Sequence, residues 1–250
     1  MNGFGPVDLL LWGVLPYAVL VVFVGGLVWR HRYDRFGWTT RSSELYESRL
    51  LRIGSPLFHV GLLFVIAGHV VGLLIPESWT RALGVSDSIY HVTALSLGLV
   101  AGVCTLAGIV LLIWRRRTKG PVFSATTKND KLMYAVLVLA LVTGLGMTAY
   151  FAGTEVVGGE TQDYRHTVSP WFRSIWILNP DVSAMAAAEG PYKLHALMGL
   201  ALFALFPFTR LVHAFSAPLG YLVRPYIVYR SRDPHPAGAG HAERTTRRGW

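Results

Sequence analysis

Long apolar runs separated by short polar segments set the architecture of this chain. A helix that crosses a membrane needs about 20 mostly apolar residues to cover roughly 30 Å of hydrocarbon. Runs of that kind lie at about residues 6 to 29 (α1), 55 to 75 (α2), 89 to 114 (α3), 132 to 153 (α4) and 191 to 215 (α5). They predict an all-α membrane protein with five transmembrane helices. The first run opens MNGFGPVDLLLWG, with an acid and no basic leader, and it continues past the length of a signal-peptide core. It therefore reads as a retained helix.

The polar segments differ in kind. Between α4 and α5, residues 154 to 190 carry Gly158, Gly159, Pro170 and Pro180 together with Trp171, Phe172, Ile175 and Trp176. Such an aromatic cluster predicts a segment lying at the membrane interface, where tryptophan is enriched. The last stretch, SRDPHPAGAGHAERTTRRGW, is polar and rich in Gly, Pro and Arg. It reads as a disordered tail over 231–250 behind one transmembrane domain over 1–230. No internal repeat is visible.

Composition supports the class, and charge adds a direction. Of 250 residues, 52% are apolar and 15% charged, and the mean hydropathy is +0.42; a soluble domain carries about 25% charge. The single cysteine, Cys104, makes neither an internal disulfide nor a thiolate metal cage and reads as a small core residue. Nineteen of the 23 lysines and arginines fall after α1, after α3, or from the end of α5 onward. The positive-inside rule then places the N-terminus outside and the C-terminus in the cytoplasm, in a multi-pass protein of the cell membrane. The net charge of +9 follows from that topology and is poor evidence for nucleic-acid binding.

Against this apolar background four histidines stand out: His59 and His69 in α2, His195 and His213 in α5. Ionisable side chains at membrane depth cost several kcal/mol and mark functional sites. With α2 running outward and α5 inward, His59 and His213 lie near the inner face, and His69 and His195 near the outer one. Two neutral imidazoles on facing helices can fill both axial positions of a haem, giving a six-coordinate iron suited to electron transfer. The pattern predicts two haems between α2 and α5, with His59 and His213 on an inner haem and His69 and His195 on an outer one.

Helix geometry strains that pairing. Ten residues on α2 rise about 15 Å and turn His69 some 80° from His59, whereas 18 residues on a continuous α5 would rise about 27 Å along one face. A kink at Pro207 is one way to absorb the difference. Gly68, Gly72 and Gly199 leave room for a macrocycle beside the outer pair. Arg210, three residues before His213, is placed either to meet the propionates of an inner haem or to snorkel as a helix-end anchor. A histidine-lined ion or proton path remains the competing reading, weakened by the lack of a midmembrane Asp, Glu or Lys. Of the other histidines, His91 opens α3 beside Ser86 and Tyr90 at the depth of the outer pair. It either hydrogen-bonds a quinone or is an ordinary helix-start residue.

Four stretches resemble the gamma subunit family of respiratory nitrate reductase, a dihaem cytochrome b. They are RYDRFGWTTRSSELYES after α1, SPLFHVGLLFVIAGHVVG in α2, SATTKND before α4 and KLHALMGLALFALFPFTRLVHAFSAPLGYL in α5. The resemblance covers nearly the whole chain except the tail. It implies two haem b groups on the same four histidines, with a quinol, menaquinol or ubiquinol, oxidised near the outer haem and protons released outside. It also implies electron transfer through the inner haem to an iron-sulfur (beta) subunit on the cytoplasmic face and a molybdenum-containing catalytic (alpha) subunit that reduces nitrate. Some members carry a lysine before α3 that is implicated in quinol binding; here the run is GVSDSIYHVTAL. His91, with Ser86 or Tyr90, is expected to supply that polar contact, and Gly68 to border the same site. The alternative is a similar anchor in a sulfite-reductase-type or heterodisulfide-type complex.

Overall fold

The computed structural model describes residues 4–34, 37–38, 42–156 and 163–216. All regular structure among them is helical. Five helices are long and apolar enough to cross a membrane: α1 Pro6–Tyr33, α2 Arg49–Leu74, α3 Asp87–Thr118, α4 Lys128–Thr154 and α5 Gly190–Phe208. Residues 217–250, with the expected tail and the boundary at 230, lie outside the described residues.

Four of the helices run further into polar sequence than the apolar pattern suggests, and in α3 the end charges find partners. Arg115, 1% exposed at the end of α3, donates from Nε to Glu47 Oε2 at 2.6 Å and from Nη1 to Ser43 Oγ at 2.8 Å. Arg116 donates to the Tyr134 hydroxyl at 2.8 Å and to Thr126 Oγ1 at 3.1 Å. These arginines were legible as topology signals. In the fold they also tie α3 to the segment before α2 and to α4.

Helix starts follow ordinary capping. Ser86 accepts the Ile89 N–H at the head of α3, and Asp181 accepts the Ala184 N–H at a short helix, Val182–Ala187. Before α4, Thr127 and Asp130 cap each other's backbone N–H at 3.1 and 3.0 Å, a reciprocal box written in the sequence as T-x-x-D.

Packing leaves a space where the four histidines fall. α2 lies closely along α3, where a Cβ at Gly108 would sit 2.4 Å from the Phe58 nitrogen, so only glycine permits that crossing. α5 packs on α4 and α1, and α3 on α4, while α2 and α5 share little direct packing. At one end of the bundle Trp12, Phe151, Trp171, Ile175, Met185 and Tyr192 form a core, with the Trp171 indole donating to the Trp12 carbonyl at 2.8 Å. This modifies the interfacial expectation for 154–190. Trp171 and Ile175 of the short helix Val168–Trp176 point inward, and Trp176 stays 59% exposed.

The largest departure is in α5. Its α-helical part ends at Leu205, a 3-10 turn covers Phe206–Phe208, Thr209 is extended at φ −117° and ψ −179°, and a second 3-10 stretch runs Arg210–Ser216. His213 is therefore not on the same continuous helix as His195. Pro207 has no N–H to give and its ring collides with the preceding turn, so a break there is the expected physical outcome. The carbonyls released at the break are met by Arg30 of α1, 5% exposed. Its Nη1 donates to the Pro207 and Thr209 carbonyls at 2.7 and 2.9 Å, and its Nη2 to the Gly37 carbonyl at 2.8 Å.

Candidate functional site: two facing histidine pairs

The break in α5 removes the geometric strain in the pairing. From His195 to Leu205 is ten residues, the same interval as from His59 to His69, so each helix rises about 15 Å over it. Beyond Leu205 the chain is no longer a continuous α-helix, so the helical interval of about 27 Å does not apply to His213.

The structure brings the four rings together in two couples. The rings of His59 and His213 have centroids 6.1 Å apart with planes at 72°, and those of His69 and His195 are 5.8 Å apart at 40°. With metal–imidazole bonds of about 2.0–2.1 Å and roughly 1.1 Å from ring nitrogen to ring centre, two imidazoles on opposite sides of one metal have centres about 6.3 Å apart. Both gaps match that spacing within about half an ångström. No group of three or more His, Cys, Asp or Glu able to hold a metal occurs among the described residues, so each couple offers two imidazoles and no third group of these types.

Tautomers follow from the other ring nitrogen. His59 Nδ1 donates to the Ser55 carbonyl at 2.8 Å, His69 Nδ1 to the Val65 carbonyl at 2.8 Å, and His213 Nδ1 to the Arg210 carbonyl. His195 Nδ1 is 3.2 Å from Thr143 Oγ1 on α4. With Nδ1 carrying the proton in each ring, Nε2 is the nitrogen with a lone pair for a metal. A Cβ built on Gly68 or Gly199 meets nothing within 4 Å.

Arg210, expected to meet haem propionates, has a protein partner. Its Nε lies 2.9 Å from Asp130 Oδ1 and its Nη2 3.4 Å from Oδ2, with Asp130 4% exposed. The ion pair fastens the His213 segment to the head of α4. Separating such a buried pair costs about 3–5 kcal/mol, because the remaining charge is stranded. Asp130 was invisible as a site residue in the sequence, although its T-x-x-D spacing marked it as a cap.

The residues read as a quinol contact are dispersed in role. Ser86 is the N-cap of α3. The Tyr90 hydroxyl is 2.9 Å from that of Tyr164, and the Arg165 guanidinium lies 3.9 Å over the Tyr90 ring while donating to Thr80 Oγ1 at 2.8 Å. His91 is half-buried in the first turn of α3. Tyr164 and Arg165 were missed by sequence reasoning, since nothing in QDYRHT separates them from a surface loop. Tyr164 seats against α2, where a Cβ on Gly72 would come within 2.8 Å of its hydroxyl, and its ring lies 6.3 Å from that of Tyr192 in α5. It thus bridges the two helices one turn beyond His69 and His195. Burial, then the bond to Tyr90, push the Tyr164 phenol up, so it remains neutral at physiological pH.

Comparison with known proteins finds relatives over nearly the whole chain. A family model described as nitrate reductase gamma subunit matches residues 8–232. The nitrate reductase-like protein NarX of Mycobacterium tuberculosis is 61% identical over 241 residues, 96% of this chain and 36% of that protein. The chain thus spans about a third of that relative's length. The nitrate reductase gamma chain of Bacillus subtilis is 44% identical over 90% of this chain and 98% of its own length. The respiratory nitrate reductase 2 gamma chain of Escherichia coli is 33% identical over 90% of this chain and 97% of its own length.

Proposed function

Because the chain belongs to the nitrate reductase gamma subunit family, we propose that it is the quinol-oxidising dihaem cytochrome b subunit of a nitrate reductase. The observation that carries this reading is the pair of facing imidazole couples at metal-spanning distance. His59 and His213 hold the inner haem b, and His69 and His195 the outer one. When bound, each haem supplies a low-spin one-electron carrier.

The protein's own groups supply the rest. The Nδ1 hydrogen bonds fix each imidazole in the tautomer and orientation a ligand needs. Quinol is oxidised beside the His69–His195 pair, where Gly68 leaves open space, and its protons leave on the outer side. Among the polar residues there, His91 is the proton acceptor. Beside it, Ser86 accepts the Ile89 N–H at the helix cap, and the Tyr90 hydroxyl lies 2.9 Å from that of Tyr164. Electrons move inward from the outer pair to the inner one, then to an iron-sulfur (beta) subunit and a molybdenum (alpha) subunit on the cytoplasmic face. Each charge moved across the membrane stores about 2.3 kcal/mol per 100 mV, so inward electrons and outward protons add.

Two measurements test this. Purified protein is expected to show two low-spin b-type signals that added menaquinol or ubiquinol analogue reduces under anaerobic conditions. Colourless protein that supports ion flux in vesicles overturns the reading in favour of a histidine-lined path. For the proton acceptor, His91→Ala is expected to slow quinol oxidation by about 10²-fold, the usual worth of a positioned base, with both haem spectra retained. Normal oxidation in that variant removes His91 from the mechanism.

A further inference from the structure

Three of the four imidazoles take their Nδ1 acceptor from a main-chain carbonyl of their own segment, three or four residues back. Such a bond comes with the backbone. His195 differs in taking its partners from another helix: Thr143 Oγ1 of α4 at 3.2 Å, beside the Ala140 carbonyl of the same helix. The Thr143 hydroxyl directs its own hydrogen to the carbonyl of Leu139 at 2.8 Å, with that of Ala140 at 3.1 Å. Its oxygen lone pairs are therefore the part turned to the imidazole, which makes His195 the donor.

The neighbouring position shapes the same ring from the side. A Cβ on Gly144 would fall 2.7 Å from His195 Cε1, 3.2 Å from Nδ1 and 3.3 Å from Nε2. The ring thus lies flat against bare backbone of α4, with the threonine oxygen at one edge. Any side chain at 144 turns it out of line with His69.

We infer that Thr143 and Gly144 form a third wall of the outer haem site, with Thr143 a positioning residue that sets the redox poise of that haem through His195 and Gly144 the gap that admits the ring. The inference rests on His195 being a ligand of the outer haem. An imidazole whose Nδ1–H is held by an acceptor is a stronger electron donor to iron, which favours the ferric state. Without that acceptor the ferric state loses support, and the midpoint potential of the outer haem rises. The midpoint of the inner haem is expected to stay where it was.

The experiment is a redox titration, followed optically and by EPR, of the purified full chain and of Thr143→Val, Thr143→Ser and Gly144→Ala, with His195→Ala as the reference. Thr143→Val is near in shape but has no acceptor. It is expected to raise the reduced-to-oxidised ratio of the outer haem at a fixed potential by about tenfold, an upward shift of about 59 mV for one electron. Thr143→Ser restores the acceptor and is expected to restore the midpoint. Gly144→Ala is expected to lose or broaden the outer low-spin EPR signal while the inner one persists. An unchanged outer midpoint in Thr143→Val, with the Ala140 carbonyl serving instead, overturns the role of Thr143. Equal shifts in Thr143→Val and Thr143→Ser overturn it too, and an intact outer signal in Gly144→Ala overturns the wall. A wild-type signal that survives His195→Ala refutes the ligand assignment itself, a result separate from these.

Discussion

His195→Ala is expected to leave a protein that carries one haem where the wild type carries two, and that no longer passes quinol electrons inward. The imidazole of His195 lies 5.8 Å from that of His69, and no other His, Cys, Asp or Glu among the described residues completes a metal-holding group there. Loss of this imidazole therefore has no local replacement among the described residues. Changes to groups that merely support a metal ligand cost 10–100-fold, so removal of the ligand is expected to exceed about 10²-fold in quinol-driven reduction of the inner haem. Haem content by pyridine haemochrome and stopped-flow reduction read the two effects. Retention of both haems contradicts the assignment.

The second large effect is expected from a residue that touches no histidine. Arg30→Met is expected to destabilise the protein and abolish the inner haem signal while the outer one survives. Arg30 is 5% exposed and satisfies the Pro207 and Thr209 carbonyls at the break in α5. A buried acceptor left without a partner costs about 1–3 kcal/mol, and two are freed together. The segment that depends on them carries His213, four residues beyond Thr209. Thermal loss of each haem band, followed separately, is the measurement. Arg30→Lys is expected to recover part of the signal, since one ammonium can meet the two break carbonyls that a single guanidinium nitrogen meets but lacks the planar fork whose second arm holds the Gly37 carbonyl.

Both effects bear on how much of this protein could be seen in its sequence. The five spans were legible because apolar runs of bilayer length have few other uses. The histidine pairing was legible because depth alone sorts four residues into two levels. Helical arithmetic misled at one point: counting 18 residues from His195 to His213 presumed a continuous helix. Pro207 was noticed, but a kink and a full break with an extended Thr209 differ by what captures the loosened carbonyls. That partner, Arg30, lies 177 residues away from Pro207 in sequence. The same limit hid Thr143, Gly144, Asp130 and Tyr164. Each acts across an interhelical contact, and no local pattern distinguishes a threonine that meets an imidazole from one that only bonds its own helix.

The charge pattern shows the converse. Arg115 and Arg116 were read only as marking one side of the membrane, whereas their burial and their bonds to Ser43, Glu47, Tyr134 and Thr126 show them fastening helix ends. A topology signal and a structural clamp can be the same residue, since a helix end at the interface has both water and loop backbone within reach of a long cation.

The central claim is that the four histidines serve as two separate pairs, and parallel redox titrations of His59→Ala, His69→Ala, His195→Ala and His213→Ala, read by optical spectra and EPR, test it most directly. The account predicts that His59 and His213 variants lose one and the same low-spin signal, and that His69 and His195 variants lose the other. A crossed result, in which His59 and His195 or His69 and His213 remove a common signal, contradicts it.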